Sequence, residues 1–275
     1  MEWCLWILVA IYAAARVTQA FPGDIPVTAI VALDVLPALA FAALHGAAVY
    51  RVRGVLIFVF LCLAIGSGFE ELGLHTGFPF GHYHFTDAMG PMVFRLPILL
   101  GLAYVGVGYV AWSLANIILP GGGIWTRPLL AAAIMTAWDL SMDHIWANLV
   151  HLWVWHDGGA YFGVPVGNYF GWFLTSYSIY QVFAFSAGRK APAWYAHPRR
   201  FWMLAVVFYG IVAAGNFFVP GPAGVASVTD ASGRIWSVAS MLAASRIVSI
   251  VVMGGFAVVA GWRLRLAILL PRPYA

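Results

Sequence analysis

Eight apolar runs dominate this sequence and limit its fold before any motif is considered. They cover roughly residues 3–20, 26–49, 54–72, 97–119, 128–152, 169–187, 201–219 and 237–262. Each is close to the about 17–25 residues that cross a bilayer as a helix. Turn chemistry separates several of them, at Phe21-Pro22-Gly23-Asp24, Pro120-Gly121-Gly122-Gly123 and Pro220-Gly221-Pro222. Of the 275 residues, 63% are hydrophobic and only 9% charged, against about 25% charged in a typical soluble domain. So few charges cannot coat a soluble globule. A soluble enzyme, a disordered chain, a coiled coil and a disulfide scaffold are therefore poor fits. The expected architecture is all-α, a polytopic membrane bundle of about eight transmembrane helices forming a single integral-membrane domain over residues 1–275.

The charges then set the expected topology. Arg51, Arg53, Arg127, Arg189, Lys190, Arg199, Arg200, Arg263, Arg265 and Arg272 fall on one side of an eight-span chain. Only Arg16, Arg95 and Arg234 fall near the other. Basic residues gather in cytoplasmic loops, so both termini are expected in the cytoplasm and the protein in the cytoplasmic membrane. Residues 1–20 lack a basic leader region and read as a retained span. The net charge of +4 reflects these loops, and no motif points to nucleic acid. Cys4 and Cys62 both lie in apolar runs and suggest neither a disulfide framework nor a cysteine metal site.

Two outer segments are unusual. Residues 73–95 hold His75, His82, His84, Asp87 and five aromatics, and residues 153–168 hold Trp155, His156, Asp157, Tyr161 and Phe162. Such aromatic, His-rich stretches are expected to be re-entrant or interfacial and to pack on the bundle.

Six charges remain inside the runs: Asp34, Glu70, Glu71, Asp139, Asp143 and Arg246. A rise of about 1.5 Å per residue puts Glu70 and Glu71 about 24–26 Å from the inner edge, Asp139 about 18 Å and Asp143 about 24 Å. Asp34 lies about 12 Å below the outer edge. Asp139 and Asp143 are four residues apart and share a helix face, with His144 beside it. Glu71 and His75 have the same spacing, and Glu70 is the acid expected to reach the outer interface. Asp34 is expected to pair with Arg16, Arg246 or a backbone amide, and Arg246 to serve as a counter-ion. His45 reads as interfacial and His197 as solvated.

Ionisable groups in a membrane span are costly and mark functional sites. Desolvation disfavours an anion, so an acid in apolar surroundings can keep its proton near neutral pH and act as a donor. That chemistry suits protonation of a lipid-soluble alkene, with the cation stabilised by ring faces. Candidate walls are Trp138, Trp146, Phe78, Phe80, Tyr83 and Trp172. Two other readings compete. A metal-dependent membrane hydroxylase would draw ligands from His75, His82, His84 and His144, helped by Glu71, Asp139, Asp143, His151 and His156. The spacing is a lone HxH and an ExxxH, unlike paired histidine boxes. A lipid transporter or binding scaffold would carry internal repeats with broken helices, and no repeat is visible.

Three segments carry a resemblance: residues 76–83 (TGFPFGHY), 137–143 (AWDLSMD) and 161–172 (YFGVPVGNYFGW). Taken together they resemble the integral-membrane carotenoid hydratases, of the bisanhydrobacterioruberin hydratase and γ-carotene 1′-hydroxylase type, over about residues 30–265. The resemblance implies addition of water across the terminal C1=C2 bond of an acyclic ψ end group, giving a tertiary alcohol without O2 or any cofactor. Substrates of that class include lycopene, γ-carotene and bacterioruberin precursors. Carried over by position, Asp139 and Asp143 are the leading acid/base pair. Glu71, His82 and Tyr83 lie at the site, and Tyr161 and Asn168 position water. Trp138, Phe78, Phe80, Trp172 and Arg246 complete the expected substrate contacts. One departure stands out: the pattern has Pro after the second Asp, and here His144 follows it.

Overall fold

The apolar runs fold as helices, and the breaks between them follow the local chemistry. In the computed structural model, which describes residues 2–21, 23–188 and 197–266, seven helices are present: α1 (Glu2–Thr18), α2 (Val27–Thr76), α3 (Ile98–Ile118), α4 (Thr126–Asn148), α5 (Val166–Phe185), α6 (Arg199–Gly215) and α7 (Val238–Leu266). Helices α2, α3, α5 and α6 each begin directly after an extended proline: Pro26, Pro97, Pro165 and Pro198. Proline has no N–H to satisfy, and its fixed φ suits the entry to a helix. Helix α2 ends at Gly77, whose positive φ of 76° lets its N–H bond the Gly73 carbonyl.

Helix α2 covers two of the sequence runs. It is 50 residues long, and Arg51, at φ 61° and ψ 169°, breaks it into arms 27–50 and 52–76. Three helices, α2, α3 and α7, are long and apolar enough to cross a membrane by length and composition. Three of the others fall short for visible reasons. Helices α1 and α6 have 17 residues each, and α4 carries Asp139, Asp143 and His144 among its apolar residues. The outward faces are apolar too. Ile247, Ile250, Val251, Val258 and Trp262 of α7 are exposed, as are Leu56 and Phe60 of α2. This is the surface of a membrane protein.

The core sits around α3, which is apolar on every side and buried along almost its whole length. It packs against α2, α4, α6 and α7. Its approach to α2 is close: a Cβ on Gly106 would lie 2.8 Å from the Ala38 Cβ and 3.0 Å from α2 backbone atoms. Small residues permit such contact between membrane helices.

The two aromatic, His-rich segments meet each other. Strand β1 (Tyr83–Phe85) pairs antiparallel with β4 (Trp153–Trp155), with Tyr83 opposite Trp155. Side chains alternate along the ribbon. Tyr83, Trp153 and Trp155 are buried against the bundle, while His82, His84 and His156 are exposed. Two smaller ribbons, β2 (Met92–Val93) with β3 (Leu96–Pro97) and β5 (Ser227–Thr229) with β6 (Ile235–Ser237), complete the connections.

Three expectations are corrected here. His45 is fully buried, not interfacial. It continues the buried stripe Ala38, Phe41, Ala42 of α2, bonds the Tyr109 hydroxyl at 2.7 Å and stacks on Phe201 at 4.0 Å. His197 is not a solvated loop residue, since it stacks on Phe201 at 4.3 Å. Arg127 is buried, bonded to Asn116 Oδ1 at 2.9 Å and the Gly122 carbonyl at 3.0 Å. The basic residues Arg51, Arg53, Arg199, Arg200, Arg263 and Arg265 are exposed. Arg189, Lys190 and Arg272 lie outside the described residues.

The α2–α3 crossing yields a test. Gly106→Val drives side-chain atoms into α2 backbone and costs about 1–3 kcal/mol, read as a lower unfolding midpoint in detergent. An unchanged midpoint contradicts the close crossing.

Candidate active site

A buried cavity opens between α1, α2, α3, α4, α5 and α6, with the β1–β4 ribbon over part of it. Its unfilled space, with the open solvent at its mouth counted in, is about 950 Å³. Aliphatic and aromatic side chains make most of its wall, among them Val35, Leu100, Val107, Phe80, Trp138 and Trp172. The polar residues on the wall are few: Arg16, Asp34, Glu70, Asp139, Asp143, Asn168 and Asn216, with the hydroxyls of Tyr12 and Tyr83.

Asp139 and Asp143 sit one helical turn apart on α4, both buried. Asn168, in the first turn of α5, joins them: its Nδ2 donates to Asp139 Oδ2 at 2.9 Å and to Asp143 Oδ2 at 2.7 Å. The extended Pro165 starts α5 where this reach is possible. The ribbon supplies donors for the other oxygen of Asp143. Trp153 Nε1 donates to Oδ1 at 2.6 Å, and Trp155 Nε1 lies 3.4 Å from the same atom.

A third acid completes the group. Glu70 is buried, and both its oxygens accept phenolic protons. Tyr104 donates to Oε1 at 2.8 Å, and Tyr83 donates to Oε2. Burial, with Glu70 beside it, pushes the Tyr83 phenol far above its ordinary range, so it stays a donor. Of the six oxygens on Asp139, Asp143 and Glu70, only Oδ1 of Asp139 has no hydrogen-bond partner among the described residues. Aromatic faces border this group. Tyr104 stacks on Trp172 at 4.8 Å, and Trp138 meets Trp172 edge-on at 5.7 Å. Phe80 fits close to α5 because Gly171 has no side chain; a Cβ there would lie 2.5 Å from the Phe80 ring.

The family model of the carotenoid biosynthesis proteins matches residues 29–230, a stretch that holds every acid of this cavity. The chain belongs to the carotenoid biosynthesis protein family. It is also similar to a curated protein named bisanhydrobacterioruberin hydratase, from Haloarcula japonica, at 27% identity over 125 residues. That match covers 44% of this chain and 42% of the relative, so the chain spans less than half the length of that protein. No solved structure is significantly similar to this chain.

Within this family member, the fold brings together Asp139, Asp143, Tyr83, Asn168, Trp138, Phe80 and Trp172 on one cavity wall. Other expected site residues lie elsewhere. Glu71 is half-buried outside the cavity, 3.5 Å from His75. It is about 100° around the helix from Glu70, which holds the inward position. His82 is exposed and bonded to Asp157 at 2.9 Å, because strand alternation turns it away from Tyr83. Phe78 is exposed. Tyr161 packs on His144 and Tyr169, outside the cavity wall. Arg246 faces the Phe217 ring at 6.0 Å and, among the described residues, meets no carboxylate at ion-pair distance; Asp34 pairs with Arg16, at 2.8 Å. The four candidate metal-binding histidines, His75, His82, His84 and His144, are not gathered. His84 contacts His156 at 2.7 Å, and His144 contacts the Met241 carbonyl at 3.0 Å. Among the described residues no three His, Cys, Asp or Glu side chains are grouped to hold a metal ion.

Glu70, Tyr104 and Trp153 were missed as site residues. Glu70 had a signal. The buried positions Phe58, Cys62, Gly66, Glu70 and Gly73 of α2 follow a helical stripe of spacing four, four, four and three.

The Asn168 bridge is testable by stability. Asn168→Leu leaves the Oδ2 atoms of both aspartates buried without that donor, at a cost of about 1–3 kcal/mol. The expected result is a clear fall in the unfolding midpoint. A midpoint equal to wild type contradicts the shared amide.

Proposed function

We propose that the protein is a carotenoid 1,2-(1′,2′-)hydratase that adds water to the terminal C1=C2 bond of an acyclic ψ end group. The free Oδ1 of Asp139, on a cavity wall that is mostly aliphatic and aromatic, carries this reading. Asp139 and Asp143 share one amide, and among the described residues neither meets a cation at ion-pair distance. Two carboxyl groups so placed cannot both ionise at low cost, and the pair holds a proton between them. Asp143 and Glu70 have every oxygen engaged, so Asp139 is the group able to reach a ligand.

In this mechanism the Asp139 proton passes to C2 of the end group, and positive charge develops at C1. The faces of Trp138, Trp172 and Phe80 stabilise that tertiary cation. Water then bonds to C1 and gives the tertiary alcohol. Protonation and hydration leave the oxidation balance of the molecule unchanged, so the step needs no electron acceptor. The polyene tail contributes binding by burial, at about 25 cal/mol per Å² of apolar surface. The family match and the hydratase name of the relative support this substrate class.

The same reading gives the protein about eight spans, the two arms of α2 each crossing the bilayer. The exposed arginines after the first arm of α2, before α6 and at the end of α7 face the cytoplasm with both termini. The site then lies in the outer half of the membrane of the cell, beneath a ribbon that packs at the outer interface.

Side-by-side assay of Asp139→Asn and Asp143→Asn with lycopene in detergent tests the assignment. Both substitutions keep shape. Asp139→Asn removes the donor and is expected to lower kcat by at least about 100-fold, whereas Asp143→Asn loses less. Wild-type turnover by Asp139→Asn contradicts the mechanism.

A further inference from the structure

A second polar cluster borders the same cavity. Arg16 and Asp34 form a buried pair, with Nη1 2.8 Å from Oδ2. Gln19 donates to the same Oδ2. Arg16 Nη2 reaches Asn216 Oδ1 at 3.0 Å, and Asn216 Nδ2 donates to Ser141 Oγ at 3.0 Å and Ser249 Oγ at 2.8 Å. Ser141 lies on α4 between the two aspartates, so this network is fixed to the helix that carries the acid pair. Oδ1 of Asp34 is buried and has no hydrogen-bond partner among the described residues, while Asp34, Arg16 and Asn216 all line the cavity.

The cavity therefore has two carboxyl groups with a spare oxygen, and their surroundings differ. Asp139 shares an amide with another acid and, among the described residues, meets no cation. Asp34 has a guanidinium on its other oxygen. A carboxylate held by Arg presents its remaining oxygen as an acceptor. We propose that Asp34 is the general base of the hydration, binding the attacking water through Oδ1, with Arg16 as the positioning residue that holds it. The proposal rests on the hydratase reading.

The step balances. The Asp139 O–H bond breaks as the C2–H bond forms, and the π electrons leave C1 positive. The water oxygen bonds to C1 while one of its O–H bonds breaks, and that proton goes to Asp34 Oδ1. Return of the proton to Asp139 through water in the cavity closes the cycle, for a net addition of H2O to the alkene. The same station then holds the new hydroxyl before the alcohol leaves.

A two-step readout separates base from acid. Lycopene is incubated with each protein in D2O, and both alcohol formation and deuterium in the recovered lycopene are measured. For Asp34→Asn, alcohol formation is expected to fall about 100-fold with little change in KM. Deuterium is expected to accumulate in recovered lycopene, because the C1 cation forms by addition of a deuteron to C2 and reverts by loss of the protium on that carbon. The double variant Arg16→Met/Asp34→Leu guards against misfolding, since replacing a buried ion pair with apolar residues is often neutral for stability. It should show the same pattern. Wild-type hydration by either variant overturns the proposal. So does equal loss of hydration and exchange in both, which assigns the pair to structure or to the acid step. If wild type neither hydrates lycopene nor exchanges deuterium, the hydratase reading falls and this proposal with it.

Discussion

Three carboxyl groups buried in one apolar bundle are the constraint on which the rest of this structure depends. A buried acid without partners costs several kcal/mol, so each must be met by donors from other elements. Asn168 brings α5 to α4. Trp153 brings the β1–β4 ribbon to Asp143 on α4. Tyr104 and Tyr83 bring α3 and the ribbon to Glu70 on α2. The acids are thus the points at which four helices and a surface ribbon are fastened together, and the cavity is the space they leave.

This accounts for the ribbon itself. Two short strands of three residues have little stability alone. Here one face presents Tyr83, Trp153 and Trp155 to the acids, and each of these side chains has a large apolar body with one polar tip. The tips satisfy the carboxyl groups, and the bodies close the cavity wall. The opposite face carries His82, His84 and His156 outwards. The ribbon therefore turns its histidines away from the buried acids of α2 and α4.

Much of the helical layout was legible in the sequence, because apolar runs bounded by Pro and Gly have few other ways to fold. The pairing of Asp139 with Asp143 followed from their spacing alone. The resemblance marked Asn168 and Trp172, and the cavity contains both. What the sequence hid was non-local. Nothing local shows that residues 83–85 pair with 153–155, so the tryptophan donors of Asp143 could not be anticipated. Glu70 and Glu71 differ by one helical step; the stripe Phe58, Cys62, Gly66 favours Glu70, and the packing of α2 on α3 turns it inward. His45 and Arg127 were misjudged for a related reason. Position near a span end suggested the interface, whereas Tyr109 and Phe201 for one, and Asn116 and Gly122 for the other, supply buried partners.

The central claim is that the buried acids add water to a carotenoid end group. The most direct measurement is the origin of the oxygen in the product. Purified protein is given lycopene in H2¹⁸O under strict anaerobiosis, and the product is analysed by mass spectrometry. The account predicts a tertiary alcohol carrying ¹⁸O, formed without O2. An alcohol that forms only in air, with its oxygen taken from O2, contradicts it.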